Sequence, residues 1–363
     1  MNHTDIEVAD VDDQSLPAAK SFLEQFPETS LFLLSNIRAF GLRLGDSLYS
    51  GNLKMIRQGG RLRGVFCLTL GGSLLAQTAG DAAFVPAILN ACRAEKIPIR
   101  GVLGEWTVTK ALRDLLCREG LALTFESKEI MYRVDLRGAL PAPRAGAAAV
   151  RLLTPDDHAQ WEALTGDFLR EVGLPLQGTV EQRKAAFERS VTLSHWWGAF
   201  EVSRLVSLVG ITAMHHTIAQ IGGVFTVPAR RRGGLSRDVM AAVMRDAHGL
   251  QGLERLFLFT GEENVAARKM YESLGFESFG HFGLFFGGVK KTEPRRHEEI
   301  RRTPRKSNFP SCSSRRFVLF VVRCYCRPGA GAPPPRGAPI GAPRPALDGG
   351  TRFCSRMYVT MFP

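Results

Sequence analysis

The chain has 363 residues, 45% hydrophobic and 23% charged; this is the balance of a globular protein with room for two domains, and no apolar run approaches the ~20 residues of a membrane-spanning helix. Its formal charge of +12 invites a nucleic-acid reading, but residues 289–363 alone hold 16 Lys and Arg against 4 Asp and Glu. The remaining body carries 31 side chains of each sign and offers no basic groove. Seven cysteines without paired spacing argue against a disulfide framework and against a zinc site. Reduced thiols, with Asp5, Glu7, Asp10, Asp12 and Asp13 where a leader would be basic and then apolar, predict a cytoplasmic protein with no membrane partner.

Taken in order, residues 17–45 read as helical, with Phe22, Leu23, Phe26, Leu31, Phe32, Leu34, Ile37 and Phe40 at helical spacing. Three short strands follow at 53–56, 62–70 and 74–77, separated by Gln58-Gly59-Gly60 and Gly71-Gly72, which are hairpin signals. Next come a helix at 84–94, a strand near 99–103, a helix at 107–118 and a strand pair within 121–136. Residues 138–149, rich in Gly, Ala and Pro, read as a linker.

The same order then returns. A strand at 150–153 leads to a helix at 155–169, which Thr154 can cap, and to a second helix at 180–190. Strands at 197–202, 205–214 and 218–225, a helix at 236–249, a strand at 255–260, a helix at 264–273 and a last strand at 277–286 complete the copy. Gly104-Glu105 and Val108 match Gly261-Glu262 and Val265 at a separation of 157, so an internal duplication is the economical account. Chance likeness of two mixed domains is the competing one. The chain divides into 1–137, the linker 138–149, 150–288, and a tail 289–363 whose Pro, Gly and Arg content predicts disorder.

Chemistry concentrates at 218–236, where an apolar strand runs through Thr226 and Pro228 into Arg231-Arg232-Gly233-Gly234-Leu235-Ser236 and then a helix. The start of a helix presents unpaired N–H groups and a partial positive charge, and glycine lets an anion approach that backbone. Alone, this short pattern is equally a solvated basic loop. Gly222-Gly223 predicts a bulge, and Pro228 removes a ladder donor, so the strand can part from its neighbour.

With Asn264 after the next strand and Tyr271-Glu272-Ser273-Leu274-Gly275-Phe276 beyond it, residues 218–286 resemble the catalytic half of the GNAT superfamily of acyl-coenzyme A-dependent N-acetyltransferases. The turn resembles that family's Arg/Gln-x-x-Gly-x-Gly/Ala signature, and the later string its closing Tyr-x-x-x-Gly-Phe. Ser236 departs from the usual Gly or Ala, and Ala229 and Arg230 stand where Glu and Tyr are frequent. The pattern covers about 150–287, and the first half resembles a degenerate copy, as in tandem members. The resemblance implies an α+β fold of two mixed, mostly antiparallel twisted sheets flanked by helices.

The same resemblance implies acetyl-CoA as co-substrate, a primary amine as acceptor and no metal. Residues Arg231, Arg232, Gly233, Gly234, Leu235 and Ser236 would hold the pyrophosphate, and the backbone of Phe225, Thr226 and Val227 with Asn264 would hold the pantetheine arm. A backbone N–H near Phe225 would stabilise charge on the thioester oxygen. Tyr271 is the expected acid, since a phenol of pKa ~10 protonates a thiolate of conjugate-acid pKa ~8.5 at little cost. Glu171, or His215 or His216, is the candidate base. The first half has Thr78-Ala79-Gly80-Asp81-Ala82-Ala83 at the turn and Asp114 or Leu116 in place of the tyrosine, so it is expected to bind no coenzyme. Trp106, Trp196 and Trp197 line the acceptor cleft or pack in the core. A non-catalytic acyl-CoA sensor or scaffold is the alternative function, and a homodimer is an open expectation.

Overall fold

The computed structural model describes residues 6–289 apart from 145, 173–175, 177 and 178. The expected disorder of the tail therefore lies outside the described residues, save its first position. The first half runs β1 (Ile6–Asp10), α1 (Leu16–Leu23), α2 (Pro27–Phe40), β2 (Gly51–Gln58), β3 (Arg61–Thr69), β4 (Ser73–Gln77), α3 (Val85–Ala94), β5 (Gly101–Glu105), α4 (Trp106–Arg118) and β6 (Leu121–Asp135). The second runs β7 (Ala149–Leu152), α5 (His158–Val172), α6 (Val180–Thr192), β8 (Trp196–Glu201), β9 (Arg204–His215), β10 (Ile218–Thr226), α7 (Leu235–Gln251), β11 (Arg255–Gly261), α8 (Val265–Glu272) and β12 (Glu277–Val289). The two orders are the same.

Three expectations change. β1 is a strand that alternation alone hid, because Glu7 and Asp10 lie on an exposed edge; it pairs antiparallel with β2. The helical stretch at 17–45 breaks at Pro27, which starts α2 from its first-turn position, and ends at Gly41 in a left-handed conformation. The strand pair at 121–136 is one strand of 15 residues.

That long strand joins the halves. The described strands form one sheet in the order β1-β2-β3-β4-β5-β12-β6-β11-β10-β9-β8-β7. β12, the last strand of the second half, lies between β5 and β6 of the first, while β6 lies between β12 and β11. Each half thus closes its sheet with the other's final strand. Pairs β4–β5 and β10–β11 are parallel and the rest antiparallel, the mixed sheet expected.

Apolar side chains cover both faces. Leu31, Phe32 and Leu34 of α2 pack with Phe257, Phe259 and Phe282 of the central strands, and the Phe259 and Phe282 rings stack at 4.9 Å. Val239, Met240, Val243 and Met244 of α7 pack with Leu256, Leu258 and Tyr271. At 218–226 the two layers meet one strand: Val224 packs with the α7 layer, while its neighbour Phe225 packs with Phe168 of α5. Successive strand residues point to opposite faces, so β10 carries a wall of the site on each.

Candidate active site

The parallel pairing of β10 with β11 stops at Gln220–Phe257, and beyond it the strands splay. The cause lies in β10. Its register on β9 shifts between Gly222 and Phe225, and Gly223 takes a left-handed φ of +61° in which a Cβ would strike the Trp196 ring at 2.7 Å. The splay opens a cavity of about 520 Å³ lined by β10, the turn after it, β11, α5 and α8.

Its wall includes the basic turn. α7 begins at Leu235, its N-cap Gly234 holding φ +81°, and Arg232 before it also sits at positive φ. The first-turn N–H groups have no acceptor four residues back, so they face outward. Arg144 of the linker braces this geometry: it donates to both oxygens of Asp238 at 2.7 and 2.8 Å and to the Gly233 carbonyl at 3.1 Å. A Cβ on Gly234 would meet that guanidinium at 2.6 Å. The linker is therefore a packed strap, further tied by Arg245 donating to the Pro141 carbonyl.

The arginines divide by partner. Arg230 pairs with Glu201. Arg231 donates to Glu171 at 2.5 Å and to the Thr226 carbonyl at 3.0 Å, and lies over the Phe225 ring. Arg232 and Arg237 both line the cavity, and neither makes an ion pair among the described residues. Two guanidiniums and the turn's N–H groups fit a pyrophosphate.

Among the expected pantetheine contacts, the structure separates three neighbours. Val227 gives its N–H to the Val206 carbonyl at 3.0 Å and accepts from the Arg230 N–H. Phe225 shares that orientation two residues back, its carbonyl taking the Ser207 hydroxyl at 3.0 Å. By the same alternation Thr226 between them turns its main chain away from β9, its carbonyl accepting from Arg231. Asn264 lines the cavity as the N-cap of α8, accepting from the Ala267 N–H at 3.2 Å.

Tyr271 also lines the cavity wall and is 5% exposed. Burial pushes its phenol up from the ordinary value, with the Glu129 carboxylate adding to the rise, so the ring keeps its proton at neutral pH. Glu129 belongs to β6, the strand supplied by the first half, and lies opposite Gly261. It is wholly buried, takes a hydrogen bond from Ser127, leaves Oε2 without a partner, and is pushed up to about 8 by burial and by nearby Glu263.

The candidate bases fare differently. Glu171 lines the cavity, but as the partner of Arg231. His215 and His216 lie elsewhere, facing Glu24 in a separate cavity. Desolvation lowers the His215 pKa against the raising effect of Glu24. Trp196 and Trp197 are core residues, Trp197 donating to Asp246 at 2.8 Å, and Trp106 packs on Phe285; none lines the cleft. In the first half Asp81 caps the 3-10 turn Ala82–Phe84 that leads into α3, accepting from the Ala83 N–H at 2.9 Å. Arg144, Arg237 and Glu129 were missed from sequence. Only Arg237 had a local signal, as a cation beside the turn; the other two arrive from distant chain segments.

Residues 160–276 match the model of the acetyltransferase (GNAT) family. A mycothiol acetyltransferase of Streptomyces scabiei is 28% identical over 174 residues, 47% of this chain and 56% of that protein, so the chain spans about half the length of that curated relative. Among solved structures, a GCN5-related N-acetyltransferase from Sphaerobacter thermophilus superposes with a TM-score of 0.55 over 79% of this chain and 96% of the other, at 12% identity. A Drosophila protein does so with 0.52 over 77% and 98%, at 14% identity. Both likenesses concern the fold. The family match runs from α5 through Phe276 and so takes in the turn, Asn264 and Tyr271 together: over this segment the chain is similar to the GNAT acetyltransferase family.

Proposed function

We propose that the second half transfers an acetyl group from acetyl-CoA to a primary amine by direct attack within a ternary complex. The supporting observation is that one cavity is lined by both an anion-ready turn and a buried, proton-bearing Tyr271. The turn and Arg232 bind the pyrophosphate, and the splayed edge of β10 aligns the thioester beside it. As the amine attacks, a C–N bond forms and the C–S bond breaks. The Thr226 N–H supports the negative charge that develops on the thioester oxygen. Tyr271 gives its proton to the departing sulfur and regains one from the amine through water. Glu171 holds Arg231 in place and is not needed as a base. The first half binds no coenzyme and contributes β6 to the back of the site.

The test is thiol release from acetyl-CoA over a panel of small amines, amino acids and peptide N-termini, in the wild type and in Tyr271→Phe. Transfer predicts release that depends on one class of amine, with kcat in the variant lower by roughly 10²-fold or more and CoA affinity kept within a few-fold. Tight binding without release for any amine would favour a sensor instead.

A further inference from the structure

Two adjacent histidines and a glutamate converge in a second cavity, of about 990 Å³, that shares no lining residue with the first. Glu24 caps the end of α1, where its backbone N–H bonds to the Lys20 and Phe22 carbonyls and fixes the residue in the first half. His215 and His216 sit where β9 turns into β10, in the second half. His215 pairs with Ile218 across a two-residue hairpin, and His216 takes a left-handed φ of +51° that turns its ring beside that of His215, the centroids 4.0 Å apart. Both Nε2 atoms then address the same oxygen, Glu24 Oε1, at 3.1 and 3.5 Å.

One carboxylate oxygen does not require two imidazole partners. The spacing is informative: ligand atoms held at about 2.0–2.1 Å from a tetrahedral ion lie roughly 3.4 Å apart. The two separations bracket that edge, and all three ligand atoms fall within 4.8 Å of one another. Two neutral imidazoles and a carboxylate are a common donor set for zinc. The open side faces the cavity, where Lys20, Arg38 and Arg43 would favour water or a small anion as the fourth ligand.

We propose that Glu24, His215 and His216 bind one divalent transition-metal ion, zinc by the match of ligands and spacing, with the fourth position open to the cavity. The ion joins α1 of the first half to the β9–β10 hairpin of the second. It takes no part in acyl transfer.

The test is equilibrium dialysis of the chelator-stripped full chain against zinc, for the wild type, His216→Ala and Glu24→Gln. Both side chains are exposed, at 70% and 40%, so neither change threatens folding. Sites elsewhere, including the cysteines beyond residue 288, contribute equally to all three proteins and cancel. The expected result is one fewer zinc equivalent in each variant, its affinity reduced by about 100-fold or more, beyond the 10–100-fold typical of a merely supporting residue. Equal equivalents in all three proteins, or a loss in only one variant, would overturn the proposal.

Discussion

Glu129 is buried where an ionised carboxylate is costly. Its carboxyl is buried against Ser127, Glu263 and the ring of Tyr271, with one oxygen unpartnered, and it titrates near 8 where an exposed glutamate titrates at 4.5. Between those values the folded chain holds a proton that the unfolded chain has released, so the contribution of this group to stability is fully present below about pH 4.5, is lost as pH rises and levels above about 8. Glu129→Gln keeps the shape without the ionisation. Urea titrations from pH 5 to 9 should find this variant losing less stability across the range than the wild type, by on the order of a few kcal/mol. An unchanged pH slope would show that Glu129 is ionised in the fold. Glu171, the other candidate carboxylate in the cavity, is paired with Arg231.

The turn and its helix were legible because their information is local. Gly222-Gly223 marked the bulge, and the stripe of Val239, Met240, Val243 and Met244 the buried face. What braces the turn was not legible, since Arg144 is 94 residues from Asp238 and sits in a segment whose composition reads only as linker. The same distance hid the exchange of β6 and β12: alternation identifies a strand and the face it buries, but nothing in it says which neighbour the strand joins. β1 escaped because an edge strand facing solvent has no continuous apolar face. Arg144 belongs to the argument at this scale, because it holds the helix start rather than the ligand. Arg144→Ala leaves Asp238, 6% exposed, without its partner and frees the Gly234 cap. Its affinity for CoA, read by isothermal titration, should fall about 10-fold, while kcat at saturating acetyl-CoA stays within a few-fold. A lower kcat at unchanged affinity would place Arg144 at the chemistry instead.

At the scale of the molecule, two copies of one element order share a continuous sheet, yet they are equipped differently. In the second half the helix start is flanked by Arg232 and Arg237; in the first Asp81 caps the 3-10 turn Ala82–Phe84 ahead of α3, and Asp114 is engaged with Lys110 and Arg113. On the proposed function, the second copy holds the anion and the first supplies a strand and a helix layer behind it. The most direct measurement is the stoichiometry of CoA binding to the full chain by isothermal titration, for the wild type, Arg232→Glu and Asp81→Ala. The account predicts one CoA per chain in the wild type, affinity at least about 10-fold weaker in Arg232→Glu from the reversed charge at the turn, and no change in Asp81→Ala. Two CoA per chain, or a loss of binding on changing Asp81 rather than Arg232, would contradict it.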